Sequence, residues 1–248
     1  MLNQQVHLIV LAAGKGTRMN SDLPKVLHSF AGKTMISHII GQLKTIFLDR
    51  ICVVIGYQGN LIINELQKHS ISFVEQTEQL GTGHAVIQTE SAFDSIPDDD
   101  VILILPGDVP LITADLILRL IDFHDEQQHD LTILSTILDD PGSYGRLLRS
   151  NSGDVLGICE FKDCTPQQRL IQEINSGIYL VRKDCLFRPL KQVTCENQQK
   201  EYYLTDIVHL LNDDSKHIGA YCIEDSICVK GVNTCEELAF VSQVFQKK

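Results

Sequence analysis

Four short apolar runs divide the first half of this chain, and segments with helical periodicity separate them. Runs so short and so continuously apolar are typical of strands that are buried on both faces of a sheet. The predicted strands span residues 6–12, 51–55, 101–105 and 131–138. The predicted helices span residues 35–45, 60–67, 83–92 and 113–126. This alternation predicts an α/β fold with a mostly parallel sheet and right-handed crossovers.

From about residue 139 the pattern changes to shorter segments that glycine-bearing turns separate. We expect strands at 155–160 and 174–181, and closing helices at 203–212 and 234–245. The last helix opens on Thr234-Cys235-Glu236-Glu237, a capping-box pattern. The 248 residues suffice for one large α/β domain, and no linker is visible. The sequence therefore predicts one domain over 1–248, with a first half to about 138 and a smaller β-rich lobe over about 139–248.

The charge of the chain is strongly negative except near its start. Four basic residues stand against Asp22 alone among the first 33, a local charge of +3 in a chain of net charge −11, which leaves −14 for the rest. A broad nucleic-acid-binding face needs an extended basic surface, so we expect no nucleic-acid partner. The acidic run over 94–100 is interpreted as a solvated turn before a strand.

Cysteine spacing and targeting signals add two expectations. None of the eight cysteines is spaced as C-x-x-C, and several lie in apolar runs, which favours free, buried thiols. The first residues lack a basic region before an apolar stretch, and no 18-residue uninterrupted apolar segment occurs. We therefore expect a cytoplasmic protein without membrane contact.

The most informative motif is a small-residue, glycine-containing segment directly after the first predicted strand. Glycines there let backbone N–H groups converge on an anion, and basic side chains lie within or near the same segment. It contains neither the Walker A pattern G-x-x-x-x-G-K-[ST] nor the dinucleotide pattern G-x-G-x-x-G. A basic strand-to-helix turn without function is the plain alternative. The phosphate-loop residues are Leu11, Ala12, Ala13, Gly14, Lys15 and Gly16, followed by Arg18 and Lys25.

The full pattern L-A-A-G-x-G-T-R-M…L-P-K resembles the signature of sugar-1-phosphate nucleotidyltransferases. The run over 21–28 is most similar to the uridyltransferase half of bifunctional N-acetylglucosamine-1-phosphate uridyltransferase/glucosamine-1-phosphate acetyltransferases. The resemblance implies a Rossmann-like nucleotidyltransferase fold and uridylyl transfer from UTP to N-acetylglucosamine 1-phosphate, with release of pyrophosphate and dependence on Mg²⁺. It also implies that Arg18 and Lys25 are catalytic and that the loop over 11–16 binds nucleotide.

Asp108 follows a predicted buried strand directly, where a carboxylate has the chemistry to hold Mg²⁺. The Gly-Asp pair is equally compatible with an Asx-type turn. The resemblance implies that Asp108 is a metal ligand and that Asn233 is the second. Without the resemblance, the simpler interpretation of Asn233 is an ordinary residue at the start of a helix.

The segment over 75–85 ends a short predicted strand and begins a helix. A glutamine amide and glycine-exposed backbone can satisfy the carbonyl–NH–carbonyl edge of uracil. The resemblance implies that Gln76, Gly81 and Thr82 bind the uridine portion; a glycine-flanked helix cap is the alternative. We interpret His84 as a packing or capping residue.

Sugar recognition rests on the resemblance, which implies roles for Gly145, Glu160, Asn175 and Thr205. A carboxylate and an amide suit sugar hydroxyl and N-acetyl groups. The chain departs from the family at Pro106, where relatives carry Tyr, and at Phe161, where they carry His. These departures bear on substrate selectivity and leave the reaction type unchanged.

Two further function classes stay open at this point. One is the same fold acting on another nucleotide or sugar phosphate, such as a glucose-1-phosphate or cytidylyl enzyme. The other is a nucleotide-sugar-binding module without turnover. The family continues into a hexapeptide-repeat β-helix that this sequence lacks. We therefore expect a monomer or weak dimer that does not acetylate glucosamine 1-phosphate.

Overall fold

A computed structural model describes residues 5–247 and contains one nine-stranded sheet and one two-stranded sheet. The strands are β1 (Val6–Ala12), β2 (Ser29–Phe30), β3 (Lys33–Thr34), β4 (Ile51–Ile55), β5 (Ser72–Glu75), β6 (Val101–Pro106), β7 (Leu131–Ile137), β8 (Arg146–Arg149), β9 (Val155–Cys159), β10 (Glu173–Arg182) and β11 (Ile218–Ile223). The helices are α1 (Met35–Phe47), α2 (Gly59–Leu66), α3 (Thr82–Ile87), α4 (Ala114–Gln127), α5 (Phe187–Leu190), α6 (Ile207–Asp213) and α7 (Cys235–Lys247).

The order of the main sheet is β11-β7-β10-β6-β1-β4-β5. Strands β6, β1, β4 and β5 pair in parallel, and β11 pairs in parallel with β7. Strand β10 lies between β6 and β7 and is antiparallel to both. The predicted α/β fold with a mostly parallel sheet is confirmed, whereas the division of the chain near residue 138 stays a prediction.

Hydrophobic side chains cover both faces of the sheet. Along β1, Leu8 and Val10 pack on the α1 side, and Ile9 packs on the face that α6 covers. A strand buried on both faces has no polar alternation, which is why β1, β4 and β6 were predictable as continuous apolar runs. Helix α4 begins after the predicted N-cap, because the Thr113 hydroxyl accepts a hydrogen bond from the backbone N–H of Leu116 at 3.2 Å.

The structure corrects two expectations. Asp100, at the end of the acidic run, is not solvated: it is 4% exposed and accepts hydrogen bonds from His7 Nε2 and the Gln5 N–H, each at 2.9 Å. Its position directly before β6 places it beside the start of β1, inside the sheet layer. The eight cysteines form no disulfide in the part of the chain described, but Cys222 and Cys235 are exposed and not buried.

Three histidines cluster near the amino end of β7. His124 Nδ1 and His129 Nδ1 lie 2.8 Å and 3.0 Å from the Thr132 hydroxyl, and the His129 and His217 ring centroids are 4.5 Å apart. Burial, helped by the neighbouring His129 and by Arg182 and opposed by Asp130, lowers the pKa of His124 to about 4. Burial also lowers the pKa of His129.

Within residues 5–247, no helix combines the length and the apolar character needed to span a bilayer.

We predict that Asp100→Ala lowers the free energy of unfolding by about 2–4 kcal/mol, because it leaves the buried His7 imidazole without its acceptor. Urea unfolding measures this change. The matched control is Asp99→Ala, an exposed position in the same run, which should change stability by less than about 0.5 kcal/mol. Equal effects of the two substitutions would contradict the buried contact.

The lowered pKa of the buried His124 leads us to predict that the protein loses stability in acid. Between its ordinary pKa of 6.5 and the folded value of about 4, the unfolded chain binds a proton that the folded chain does not. The contribution of His124 to the free energy of unfolding is therefore fully present above pH 6.5. It is lost, by about 3 kcal/mol, as the pH falls toward 4. Urea unfolding from pH 7 to 4.5 should show a flatter pH dependence for His124→Asn than for the unaltered protein. The control His69→Asn should leave the slope unchanged; the hypothesis fails if both variants behave alike.

Candidate functional site

A cavity of about 370 Å³ opens at the carboxyl edge of the parallel strands. This edge is where open α/β sheets bind their ligands. Its lining includes these predicted site residues: Leu11, Ala12, Ala13, Gly14, Lys25, Gln76, Gly81, Thr82, Asp108, Glu160, Asn175 and Thr205. Five other predicted residues do not line it: Lys15, Gly16, Arg18, Gly145 and Asn233.

The predicted phosphate loop leaves β1 at Ala12 and turns at Gly16, whose φ of +70° is left-handed. A Cβ at Gly16 would lie 2.5 Å from Cβ of Lys25, so only glycine lets the loop pack this closely against Lys25. The Lys15 ammonium lies 4.9 Å from the centre of the Tyr57 ring. Lys15 and Arg18 are exposed.

Four predicted residues from three distant segments meet beside this loop. The Lys25 ammonium donates a hydrogen bond to Asn233 Oδ1 at 2.8 Å and forms an ion pair with Asp108 Oδ2. The Arg18 guanidinium donates to the same Asn233 oxygen at 3.0 Å. The proposed catalytic cations and the proposed metal ligands therefore share one small region, although 215 positions separate Arg18 from Asn233.

Two groups fix the backbone around Asn233: Glu237, which the sequence interpretation placed only in the capping box, and Tyr144, which it missed. The Glu237 carboxylate accepts hydrogen bonds from the backbone N–H groups of Asn233 and Thr234, at 2.7 Å and 3.2 Å. The predicted capping box is confirmed, because the Thr234 hydroxyl accepts in return from the Glu237 N–H at 3.2 Å. The Tyr144 hydroxyl accepts from the Gly231 N–H at 3.2 Å. Burial raises the pKa of Tyr144, which keeps this phenol neutral.

The proposed base-binding wall is built around Gln76, which is 3% exposed at the end of β5. Its Nε2 lies 3.0 Å from the Gly81 carbonyl oxygen and 3.1 Å from His84 Nδ1. His84, expected only to pack or cap, therefore also fixes the Gln76 amide. A Cβ at Gly81 would lie 2.6 Å from the Tyr202 carbonyl oxygen, which makes glycine necessary at this contact.

The residues over 80–83 are joined to 202–204 of the second half by three hydrogen bonds. The N–H groups of Tyr202 and Gly83 donate to the carbonyl oxygens of Leu80 and Tyr202, both at 2.8 Å. The Thr82 hydroxyl accepts from the Leu204 N–H at 3.1 Å. Both halves of the chain therefore shape the base-binding wall.

Three of the four predicted sugar-binding residues, Glu160, Asn175 and Thr205, form a second wall, which adjoins the first because Thr205 directly follows Leu204. The Thr205 hydroxyl donates to Glu160 Oε1 at 3.2 Å, and the Asn175 N–H donates to the Gly145 carbonyl oxygen at 2.9 Å. Burial and nearby acidic groups raise the pKa of Glu160, although the hydrogen bond from Thr205 opposes the shift. Tyr179 also lines this wall and accepts from Asn175 Nδ2 at 2.6 Å. The one signal in the sequence that could have indicated this role is the position of Tyr179, four residues after Asn175 in the same strand.

A bulge in β10 directs Asn175 toward the cavity. The register against β7 shifts between Asn175 and Ile178, and Gly177 in the bulge has a φ of +78°.

The two departures from the family differ in position. Pro106 lines the cavity, whereas the Phe161 ring lies against the guanidinium groups of Arg169 and Arg146, at 4.8 Å and 5.5 Å.

Comparison with known proteins identifies the family of the chain. Residues 8–154 match the family model of the MobA-like NTP transferase domain. The chain belongs to this family. Over 242 residues it is 41% identical to the bifunctional protein GlmU of Streptococcus pyogenes serotype M1, an alignment that covers 98% of the chain and 52% of that relative. GlmU of serotype M12, strain MGAS2096, is also 41% identical and is covered over 58% of its length. The chain thus spans about half the length of these relatives.

Solved structures of family-like folds superpose over nearly the whole chain. A protein described as a glucose-1-phosphate thymidylyltransferase from Bacillus anthracis, in complex with sucrose, gives a TM-score of 0.75 at 19% identity. A UDP-glucose pyrophosphorylase complexed with UDP-glucose gives 0.73 at 16% identity. Both cover 98% of this chain, and 96% and 99% of their own chains respectively. At these identities the likeness shows the nucleotidyltransferase fold.

Proposed function

We propose that this protein transfers a uridylyl group from UTP to N-acetylglucosamine 1-phosphate, forming UDP-N-acetylglucosamine and pyrophosphate. The observation that carries the proposal is the meeting of Arg18, Lys25, Asp108 and Asn233 beside a cavity that the amide-bearing side chains of Gln76 and Asn175 line. The identity to GlmU relatives over 98% of the chain supports the choice of substrates. UTP as donor fits a cytoplasmic setting.

The residues present fit a divalent cation. Asp108 Oδ2 and Asn233 Oδ1 approach the same cationic atom, Lys25 Nζ, so two hard oxygen donors converge on one point. Mg²⁺ takes one or two protein oxygens and completes its shell with water and substrate phosphates. We infer that Asp108 and Asn233 hold Mg²⁺, which when bound neutralises charge on the transferring phosphates.

The reaction needs little general-base catalysis, because the attacking phosphate oxygen of the sugar phosphate is already ionised near neutral pH. Positioning and charge neutralisation dominate such a transfer. Lys25 and Arg18 supply positive charge next to the phosphate loop over 11–16. In this proposal the attacking oxygen enters in line from the sugar-binding wall, and pyrophosphate leaves on the side of the loop.

Substrate recognition divides between the two walls. We infer that the Gln76 side-chain oxygen accepts from the uracil N–H, because the Gln76 amide nitrogen is already held by the Gly81 carbonyl oxygen and His84, and that the Gly81 backbone N–H reads a uracil carbonyl. Glu160 and Asn175 suit the hydroxyl and N-acetyl groups of the sugar. Residues 1–138 would then hold most of the nucleotide, and residues 139–248 most of the sugar.

The decisive experiment tests every pairing of UTP, CTP and dTTP with N-acetylglucosamine 1-phosphate and glucose 1-phosphate, with Mg²⁺. We expect pyrophosphate release to be at least about tenfold faster for UTP with N-acetylglucosamine 1-phosphate. Mass spectrometry should identify UDP-N-acetylglucosamine as the product. Faster release with another pair would establish a different substrate. Binding of UDP-N-acetylglucosamine without any pyrophosphate release would establish a non-catalytic module.

Asp108→Asn should lower kcat by about two to three orders of magnitude, because it removes the charge of a metal ligand from the transferring group. The loss in kcat should far exceed the loss in stability, because Asp108 lies at the cavity and outside the core, although the substitution also takes from the Lys25 ammonium its carboxylate partner. Asp122→Asn makes the same chemical change on the exposed side of α4 and should leave kcat unaltered. An unaltered kcat for Asp108→Asn at saturating Mg²⁺ would rule out this ligand.

A further inference from the structure

Lys25 lies where the proposed cation would bind. Its ammonium contacts Asp108 Oδ2 and donates to Asn233 Oδ1, and these are the two oxygens assigned above to the metal. The Lys25 and Asp108 side chains are only 17% and 16% exposed, so the contact is shielded from solvent. The pair of ligands is thus already neutralised by a group of the protein itself.

A lysine ammonium and a divalent ion cannot occupy this position together. Both would bind Asp108 Oδ2 and Asn233 Oδ1, the second of which also accepts from Arg18, and like charges at contact distance repel strongly where water is largely excluded. Binding of the metal therefore requires the Lys25 ammonium to move away. If the ammonium left these oxygens without reaching another anion, its positive charge would be unpaired in a place shielded from solvent, which is unfavourable.

The phosphate loop provides the place to which the ammonium can move. Lys25 Cβ packs against Gly16, so the base of the side chain is fixed to this loop. Its flexible four-carbon stem lets the ammonium swing without movement of the backbone. A nucleotide phosphate held by the loop over 11–16 would offer the ammonium new acceptors next to its present position.

We propose that Lys25 occupies the divalent-cation site of the nucleotide-free protein, and that a nucleoside triphosphate opens this site by drawing the ammonium onto its phosphates. The proposal rests on the proposed function for the identity of the two ligands and of the phosphate loop. Metal and nucleotide then bind cooperatively, and each strengthens the binding of the other by the same factor. Lys25 has two roles, closing the metal site before the nucleotide arrives and contacting phosphate afterwards.

Titration with Mn²⁺ alone tests this, because free Mn²⁺ gives an electron paramagnetic resonance signal that disappears on binding. Without nucleotide, Lys25→Met should bind Mn²⁺ at least about tenfold more tightly than the unaltered protein, since it keeps the stem and removes the ammonium. The same variant should turn over more slowly. Tighter metal binding together with slower turnover is a combination that a purely structural lysine does not give.

Lys15→Met is the matched control, because it removes the same charge from the adjacent phosphate loop, where the Lys15 ammonium lies over the Tyr57 ring and away from both metal ligands. It should change Mn²⁺ affinity less than twofold. Adding Asp108→Asn to Lys25→Met should abolish the tight binding and so locate the ion. Thermal melts verify folding, and Lys25→Gln provides a second variant if Lys25→Met unfolds.

The proposal is overturned if Lys25→Met binds Mn²⁺ no more tightly than the unaltered protein, or no more tightly than Lys15→Met. These isotherms involve neither nucleobase nor sugar. A wrong substrate assignment would therefore appear in the substrate panel and leave the Mn²⁺ result intact.

Discussion

The parallel pairing of β1 with β6 is the constraint on which the candidate site depends. Its register sets Leu11 opposite Pro106, so the two strands end at the same edge. The Gly107 N–H then donates to the Leu11 carbonyl oxygen at 2.9 Å, and a Cβ on Gly107 would lie 2.9 Å from that same oxygen. Backbone contact, which only glycine permits here, therefore fixes the turn that carries Asp108 to the strand that carries the phosphate loop.

From this edge the rest of the centre is assembled by further backbone hydrogen bonds. The Val232 N–H donates to the Asp108 carbonyl oxygen at 2.9 Å, which brings the next residue, Asn233, beside Asp108. Glu237 and Tyr144 fix the flanking N–H groups. Fixed backbone supports the oxygen donors, whereas the cations that face them lie on long side chains. The site thus combines rigid acceptors with movable positive charge, an arrangement suited to ligands that carry several phosphates.

The sequence was most informative where one local pattern determines the outcome. Strands such as β1 and β6 are buried on both faces, so their apolar runs identify them directly, and the Thr113 cap marks the start of α4. Strands β8 and β11 escaped prediction because β8 has only four residues and β11 lies half-buried at the sheet edge. Asp100 was misjudged because its partner, His7, lies 93 positions away. The same non-local character hid Tyr144, whose hydroxyl meets Gly231 87 positions along the chain.

The place of β10 has a consequence for how this protein comes to be folded. Strands β6 and β7 follow each other along the chain, yet β10 separates them in the sheet. Until residue 182 is available, both strands present unpaired edges, and the sheet that supports the phosphate loop is incomplete. Pairing β10 with β6 brings Arg182 opposite Val101 and so closes a long loop of chain. The entropy lost in closing this loop comes before the contacts that compensate for it, which slows folding. A nascent chain that stops short of β10 also lacks β11, so one edge of β6 and both edges of β7 lack their partners in the sheet and are open to aggregation.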